Sequence, residues 1–422
     1  MTLDSSPHPL HELRLDSLAF GGDAVGRLNG KVVFVPFGVP GDRILVRLTE
    51  EHPSYSRGEI VQVLQEGPGR RLPPCPAFGT CGGCQWQQLA YDRQAVSKSD
   101  ILARILSEAA VQELKPLTKA PVELGYRRRV RLHFRKTRQR LWLGYFRRHS
   151  KELVDVPDCA LLQPVLQRAL ALCRDRLERV SEARGSLVLL AGALAETHLS
   201  LRLEEGHLAD PSSFLADPIV GGLVQQGGRV TPFGRDAVNL APLPEAPLWA
   251  TAAAFAQANS EQDQLLRHRV ARWAEAKDRR VLELFAGIGN LTRELAQHAS
   301  EVVAVEASAP ATELLRRNVL ALPRPVQICE EEASAALERL LAARERFDVA
   351  VLDPPREGHA HAVDRLGKLG PERVIYVSCD PMTLARDLNI LAKHGYVSRQ
   401  AQGQDMMPQT FHIETVVRLD RK

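Results

Sequence analysis

From Trp249 onward the chain alternates short apolar runs with amphipathic stretches, and this constrains its fold more than any other feature. RVLELF at 280–285, EVVAVE at 301–306, FDVAVLD at 347–353 and VIYVS at 374–378 are short and rich in β-branched residues, as strands buried on both faces are. With helical stretches between them they predict a doubly wound parallel sheet, including a helix at 291–298 after the first strand. In such sheets ligands and chemistry gather at the carboxyl ends of the strands. Cys379 stands at that edge, where Asp380 suits a helix N-cap and Pro381 the first helical position. Nearby amides and a helix dipole would favour a thiolate there. The alternative is a small cysteine buried in the core.

The chain has 422 residues, more than one core sustains, so two or three domains are expected. Its 44% hydrophobic and 25% charged content are those of a soluble globular protein. The first residues carry neither a basic segment nor an apolar run, and nothing approaches the roughly 20 apolar residues of a membrane span. A cytoplasmic location follows as the default, with no membrane role, no evident obligate protein partner and a monomer as the expected state.

Residues 11–65 read as about five short strands punctuated by Gly21-Gly22, Asn29-Gly30 and Gly38 to Gly41, a size that fits an OB-type barrel or, equally, an SH3-like barrel with a protein partner. The phrase GGDAVGR at 21–27, followed by Phe34-Val35-Pro36 and Pro40-Gly41-Asp42, resembles the TRAM domain of RNA-modifying enzymes. Three of the seven cysteines then fall close together, Cys75, Cys81 and Cys84, with glycines that permit tight curvature. Cys159, after a loop-like Val156-Pro157-Asp158, can supply a fourth thiolate. In a cytosolic protein such a group suggests metal binding. Zinc sites usually show two C-x2-C knuckles and this set has one, which favours a [4Fe–4S] cluster over structural zinc.

Residues 87–113 read as one amphipathic helix. Between 127 and 151 stand eleven Lys or Arg and no acid. Strand alternation puts Arg127, Arg129, Arg131, His133 and Arg135 on one face and Val130, Leu132 and Phe134 on the other. Like charges so aligned are relieved by a polyanion, which points to nucleic acid. Residues 160–240 carry no chemical motif, and the proline-rich 242–247 reads as a linker.

Gly287-x-Gly289 after a strand lacks the third glycine of a dinucleotide fingerprint. Glu283 within the first strand and Glu306 ending the second suit S-adenosylmethionine instead, an acid in that place accepting ribose hydroxyls. Asp353-Pro354-Pro355 is followed by Arg356, where amino-group methyltransferases have an aromatic residue. A cysteine one strand later points to carbon as the methyl acceptor. Carbon 5 of uracil becomes nucleophilic when a thiolate adds to C6, and a base must then remove the C5 proton. His412 and Glu414 are the candidate bases.

Four segments resemble the RNA 5-methyluridine methyltransferases. They are Phe255-x-Gln257-x-Asn259, Leu284-Phe285-x-Gly287-x-Gly289-Asn290, the run from Ser378 to Asp387, and Asp405-Met406-x-Pro408-x-Thr410-x-His412-x-Glu414. With the TRAM-like start and the four cysteines, the likeness spans nearly the whole chain. It implies Cys379 as nucleophile and Glu414 as base, with Gln257, Phe285, Asn290, Glu306 and Asp353 around the donor, S-adenosylmethionine. It also implies a [4Fe–4S] cluster on Cys75, Cys81, Cys84 and Cys159, and a helix at 87–113 packed on the catalytic domain. The expected architecture is a TRAM-like OB barrel (1–66), a central α+β RNA-binding domain with the iron–sulfur site (67–86 and 117–248), and a Rossmann-like methyltransferase domain (87–116 and 249–422). Departures are small: Asp380 stands where some members have Asn, and Ala256 where others have a bulkier residue. Cys173 and Cys329 match no family position and read as structural. The RNA expected is 23S ribosomal RNA, with the T-loop uridine 54 of tRNA as the alternative. A non-catalytic RNA-binding protein and a DNA cytosine-5 methyltransferase are the rival classes. The first is disfavoured by intact Cys379 and Glu414, the second by Ser378 where a Pro-Cys motif has proline.

Overall fold

Alternating buried aliphatic and exposed polar side chains close the N-terminal strands into a barrel in this computed structural model, which describes residues 9–241, 246–320 and 322–422. The strands are β1 (Leu10–Leu18), β2 (Ala24–Leu28), β3 (Lys31–Val35), β4 (Arg43–Glu51) and β5 (Tyr55–Gln65), in the order β1-β2-β3-β5-β4. Leu15, Val35, Ile44 and Val46 fill the interior. Asp42, fully buried, holds the closure: its carboxylate accepts from the amides of Val39 and Gly67 at 2.7 and 2.8 Å and pairs with Arg70.

The helix expected at 87–113 is shorter. α1 (Tyr91–Leu106) passes into a 3-10 turn and ends at Ala110, whose φ of +49° is left-handed. An unforeseen strand, β6 (Glu113–Thr118), follows; its partner lies almost at the other end of the chain.

The central sheet comprises β7 (Arg129–Lys136), β8 (Leu141–Phe146), β9 (Leu153–Asp155), β10 (Ala183–Ala191), β11 (Thr197–Glu205), β12 (Ile219–Gln226) and β13 (Arg229–Gly234), ordered β13-β12-β11-β10-β7-β8-β9. α2 (Pro164–Glu178) covers one face, packing Leu166, Leu170 and Cys173 into the same core as Leu132, Phe134 and Leu189. β14 (Val238–Asn239) and β15 (Trp249–Ala250) form a small ribbon, and residues 242–245 of the expected linker lie outside the described residues.

The C-terminal part runs α3 (Ser260–Ala274), β16 (Arg280–Leu284), α4 (Thr292–Leu295), β17 (Glu301–Glu306), α5 (Ala309–Val319), β18 (Val326–Glu330), α6 (Ala333–Ala342), β19 (Val349–Leu352), α7 (Ala360–Leu369), β20 (Arg373–Ser378), α8 (Pro381–Lys393), β21 (Tyr396–Gln404) and β22 (Glu414–Arg421). The sheet order is β18-β17-β16-β19-β20-β22-β21-β6. Its first five strands are parallel, β22 is antiparallel to both neighbours, and β6 adds parallel to β21. The helix expected at 291–298 is reduced to α4, four residues long. α3 packs Leu266, Val270 and Trp273 on one face of the sheet. On the other, Leu337, Leu366, Leu388 and Leu391 share a core that runs on through Ile101 and Leu102 of α1 into the barrel. Among the described residues no helix is long and apolar enough to cross a membrane.

Candidate active site and cysteine cavity

The strand order reverses at β16, between β17 on one side and β19 on the other, and the loop after β16 opens a pocket there, as expected of a switch point. Phe285 leaves the strand at φ +62°, a conformation costly for an aromatic residue and tolerated where a site demands it. Gly289 has φ +91°, and a Cβ there would meet the Leu315 side chain at 2.7 Å. Gln257, Glu283, Phe285, Asn290 and Asp353 line the pocket together with exposed Phe255. Four of the five expected donor-site residues thus come together. The fifth, Glu306, sits at the edge, accepting from the amides of Gly287 and Ser308, both at 2.8 Å. Two buried oxygens of the lining, Glu283 Oε2 and Asn290 Oδ1, have no partner. Unmet polar groups of this kind mark a ligand's place. Burial, first of all, pushes the Glu283 carboxyl up to about 8.

Arg128 and Asp263 complete this wall and were not foreseen. Arg128 Nη2 donates to Asp263 Oδ2 at 2.8 Å and its Nε to the Gln257 carbonyl at 2.9 Å, while Asn290 Nδ2 donates to Asp263 Oδ1 at 2.7 Å. Arg128 lies before β7, where strand parity does not hold, and nothing local set it apart from its neighbours in the basic run. Asp263 gave no signal either, since an acid in a first helical turn is ordinary.

Cys379 follows β20. Ser378 pairs with Thr415 across to β22, so Cys379 and Glu414 flank one another at the carboxyl edge of the sheet. The Asp380 carboxylate accepts from the amides of Met382 and Thr383 at 2.9 and 3.1 Å. Those are the amides expected to favour a thiolate, and they are already taken. Burial chiefly, then Glu414, raises the Cys379 thiol to about 12, with Arg356 pulling the other way. Burial also raises Glu414 well above the usual carboxylate range, helped by Asp353, and its Oε1 has no partner. Asp353 in turn is pushed up to about 7, by burial and then by Asp263.

His412 does not share a strand with Glu414. It lies in the turn before β22, where its Nε2 accepts from Arg356 Nη2 at 3.3 Å. Burial, first, and then Arg356 press its pKa down to about 3. The loop from 405 to 412 is fixed from outside the sheet. Lys98 of α1 and Asp405, both wholly buried, pair at 2.6 Å. The Gln409 carbonyl accepts from Gln85 and Trp86 at 3.0 and 3.1 Å, and Phe411 meets Phe20 of the barrel edge-on at 5.4 Å.

Cys75, Cys81, Cys84 and Cys159 all line a second, small cavity, with Arg127 and Tyr145 in its wall. All four are free thiols. Arg127 therefore leaves the basic face on which alternation placed it. Tyr145 Oη and Arg127 Nε are buried without partners. Among the described residues no three His, Cys, Asp or Glu side chains converge closely enough for a single metal ion. Cys173 lies in the core beneath α2 and Cys329 beside Arg339 at 3.4 Å, away from both cavities.

A family described as tRNA (Uracil-5-)-methyltransferase matches residues 249–422, and the TRAM domain matches residues 12–61. The 23S rRNA (uracil(1939)-C(5))-methyltransferase RlmD of Yersinia enterocolitica is 34% identical over 423 residues, 95% of this chain and 93% of its own. The chain belongs to the RNA uracil-C5 methyltransferase family. The enzyme of the same name from Pectobacterium atrosepticum is 33% identical, over 94% of this chain and 90% of its own. Among solved structures, a Pyrococcus abyssi tRNA (uracil-54, C5)-methyltransferase in complex with S-adenosyl-L-homocysteine is similar with a TM-score of 0.75 and 25% identity, covering 97% of this chain and all of that one. The family resemblance read from the motifs and the TRAM-like start are both borne out.

Proposed function

We propose that this family member methylates C5 of a uridine in 23S ribosomal RNA, with S-adenosylmethionine as methyl donor. The observation that carries the mechanism is the juxtaposition of Cys379 and a buried, half-unsatisfied Glu414 at the ends of paired strands. Cys379 adds to C6, and the electron pair displaced to C5 takes the methyl group. Glu414 then removes the C5 proton, the C5–C6 double bond re-forms, and the thiolate leaves. Bound beside the pocket carboxylates, the donor supplies an electrophilic methyl on a positive sulfonium, a charge that favours ionised Glu414. Gln257, Phe285, Asn290, Glu306 and Asp353 form its site in this reading, joined by Glu283.

The choice of 23S rRNA rests on the relatives that match 94–95% of the chain, and the tRNA alternative on the archaeal structure. Mapping 5-methyluridine in both RNAs of a deletion strain decides: loss from tRNA alone would overturn the ribosomal assignment. We further propose the three units set out above, 1–66, 67–86 with 117–248, and 87–116 with 249–422, and a [4Fe–4S] cluster on the four cysteines. Supporting the cluster are a cavity lined by all four cysteines and an adjacent guanidinium suited to an anionic thiolate centre. Bound, it would cross-link segments that no sheet joins. Anaerobically purified protein should then be brown and bleach with dithionite. Stoichiometric zinc without that absorption overturns the assignment.

A further inference from the structure

The face of the central sheet opposite α2 carries a groove of about 650 Å³ away from both cavities, lined by His133, Arg135, Trp142, Phe146 and Lys151 among others. Its floor is set by register. Trp142 lies opposite Arg135 and Gly144 opposite His133, so β7 and β8 present aromatic and cationic side chains on one face. His133 stacks on Phe146 at 4.3 Å with ring planes 30° apart, and the Arg140 guanidinium lies 4.9 Å from the Trp142 ring. The carboxylates at the rim are already engaged, Glu152 with Arg147 at 2.9 Å and Glu204 with Arg184 at 3.4 Å. Among the described residues, no ion-pair partner lies within reach of Arg131, Arg135 or Lys151.

This face is continuous with the donor pocket. Arg129, at the other end of β7, sets its guanidinium 6.0 Å from the ring of Phe255, which is 68% exposed at the pocket mouth. From Arg129 to Arg135 is about 20 Å along an extended strand. Flat rings between unneutralised cations suit a chain of stacking bases on a phosphate backbone. A duplex, whose bases are already stacked on each other, would use only the cations.

We infer that this groove is a subsite for unpaired nucleotides of the RNA substrate, apart from the methylated uridine, with bases stacking on Trp142 and the His133–Phe146 pair and phosphates taken by Arg131, Arg135 and Lys151. The inference rests on the RNA-methyltransferase reading, and the test separates the two. The probes are single-stranded ten-nucleotide oligouridylate, an RNA duplex, and a 23S rRNA fragment for methyl transfer. Oligouridylate should quench tryptophan fluorescence in wild type but not in Trp142→Phe, which keeps buried Trp86 and Trp273 and half-buried Trp249, and duplex RNA should quench neither. Trp142→Ala should weaken oligouridylate binding about 10-fold or more, with the loss on the rRNA fragment falling on KM, and Trp142→Phe should restore most of it. Arg135→Ala, at an exposed position, should lower the salt slope by roughly 0.7, the value for one single-strand phosphate contact. Trp142→Ala and Arg135→Ala proteins that bind oligouridylate as wild type does, while wild type methylates the fragment, overturn the subsite alone. A wild type that binds through Trp142 but methylates no RNA overturns the enzymatic reading and leaves the subsite standing.

Discussion

The methyl-transfer edge and the cysteine cavity are both buried groups of ionisable side chains, yet they are held in opposite ways. Cys379, Asp353 and Glu414 stand at the ends of β20, β19 and β22, strands hydrogen-bonded to their neighbours whatever the pocket contains. The cysteines come from the loop at 75–84 and from residue 159, and none belongs to a strand. A site built on a sheet is pre-formed and can bind and release. A site built on loops takes its order from its occupant. Loss of a side chain at the first should therefore cost chemistry, and at the second, structure.

The largest effect expected is at Cys379, the proposed nucleophile. Cys379→Ala should reduce methyl transfer on the order of 10⁴-fold or more and abolish any covalent RNA adduct, with the melting temperature nearly unchanged. A large drop in melting temperature would break the contrast. Glu414→Gln should slow turnover by roughly 10²- to 10⁴-fold and leave a methylated enzyme–RNA adduct that survives a denaturing gel. If His412→Asn traps that adduct instead, the base is misassigned.

Cys81→Ser should act the other way. It should lower the melting temperature by roughly 5 °C or more and remove the absorption of the proposed cluster, while isolated donor binding persists. Unchanged melting would mean that the loops order themselves. The smallest effect concerns Asp353. Burial raises its carboxyl in the folded protein to about 7 from 3.8. A raised folded value favours the fold below the unfolded pKa and loses that contribution as pH climbs through about 7. Asp353→Asn without donor should then melt a few degrees above wild type at about pH 8 and level with it at about pH 4. Equal melting at both would show that solvent screens this carboxyl.

The candidate site could be picked out because its residues sit in local patterns: Cys379 between a strand and a cap, Glu414 in a short motif, and Cys75, Cys81 and Cys84 close together in sequence. What escaped reading depends on distant partners. β6 follows the helix expected to end at 113 and carries no strand signal until β21 pairs with it, and Arg128 looks like one charge among many until Asp263 meets it. The thiolate expected from helix amides failed because Asp380, correctly read as the cap, consumes them. Arg127 obeys no strand parity, since it lies before β7 and turns to the cysteine cavity.

The pairing of β6 with β21 also orders events during synthesis. Gln402 donates to the carbonyl of Pro116 across 286 residues of chain. At about 5–20 residues per second, the ribosome takes roughly 15–60 s to supply that partner. Through that interval Ile101, Leu102 and Leu106 of α1 lack the far half of the core that buries them. The barrel can close early, but α1 and β6 must wait. Nascent chains halted near residue 250 should show a protease-resistant barrel and a sensitive α1; resistance at α1 would mean that it finds an earlier resting place.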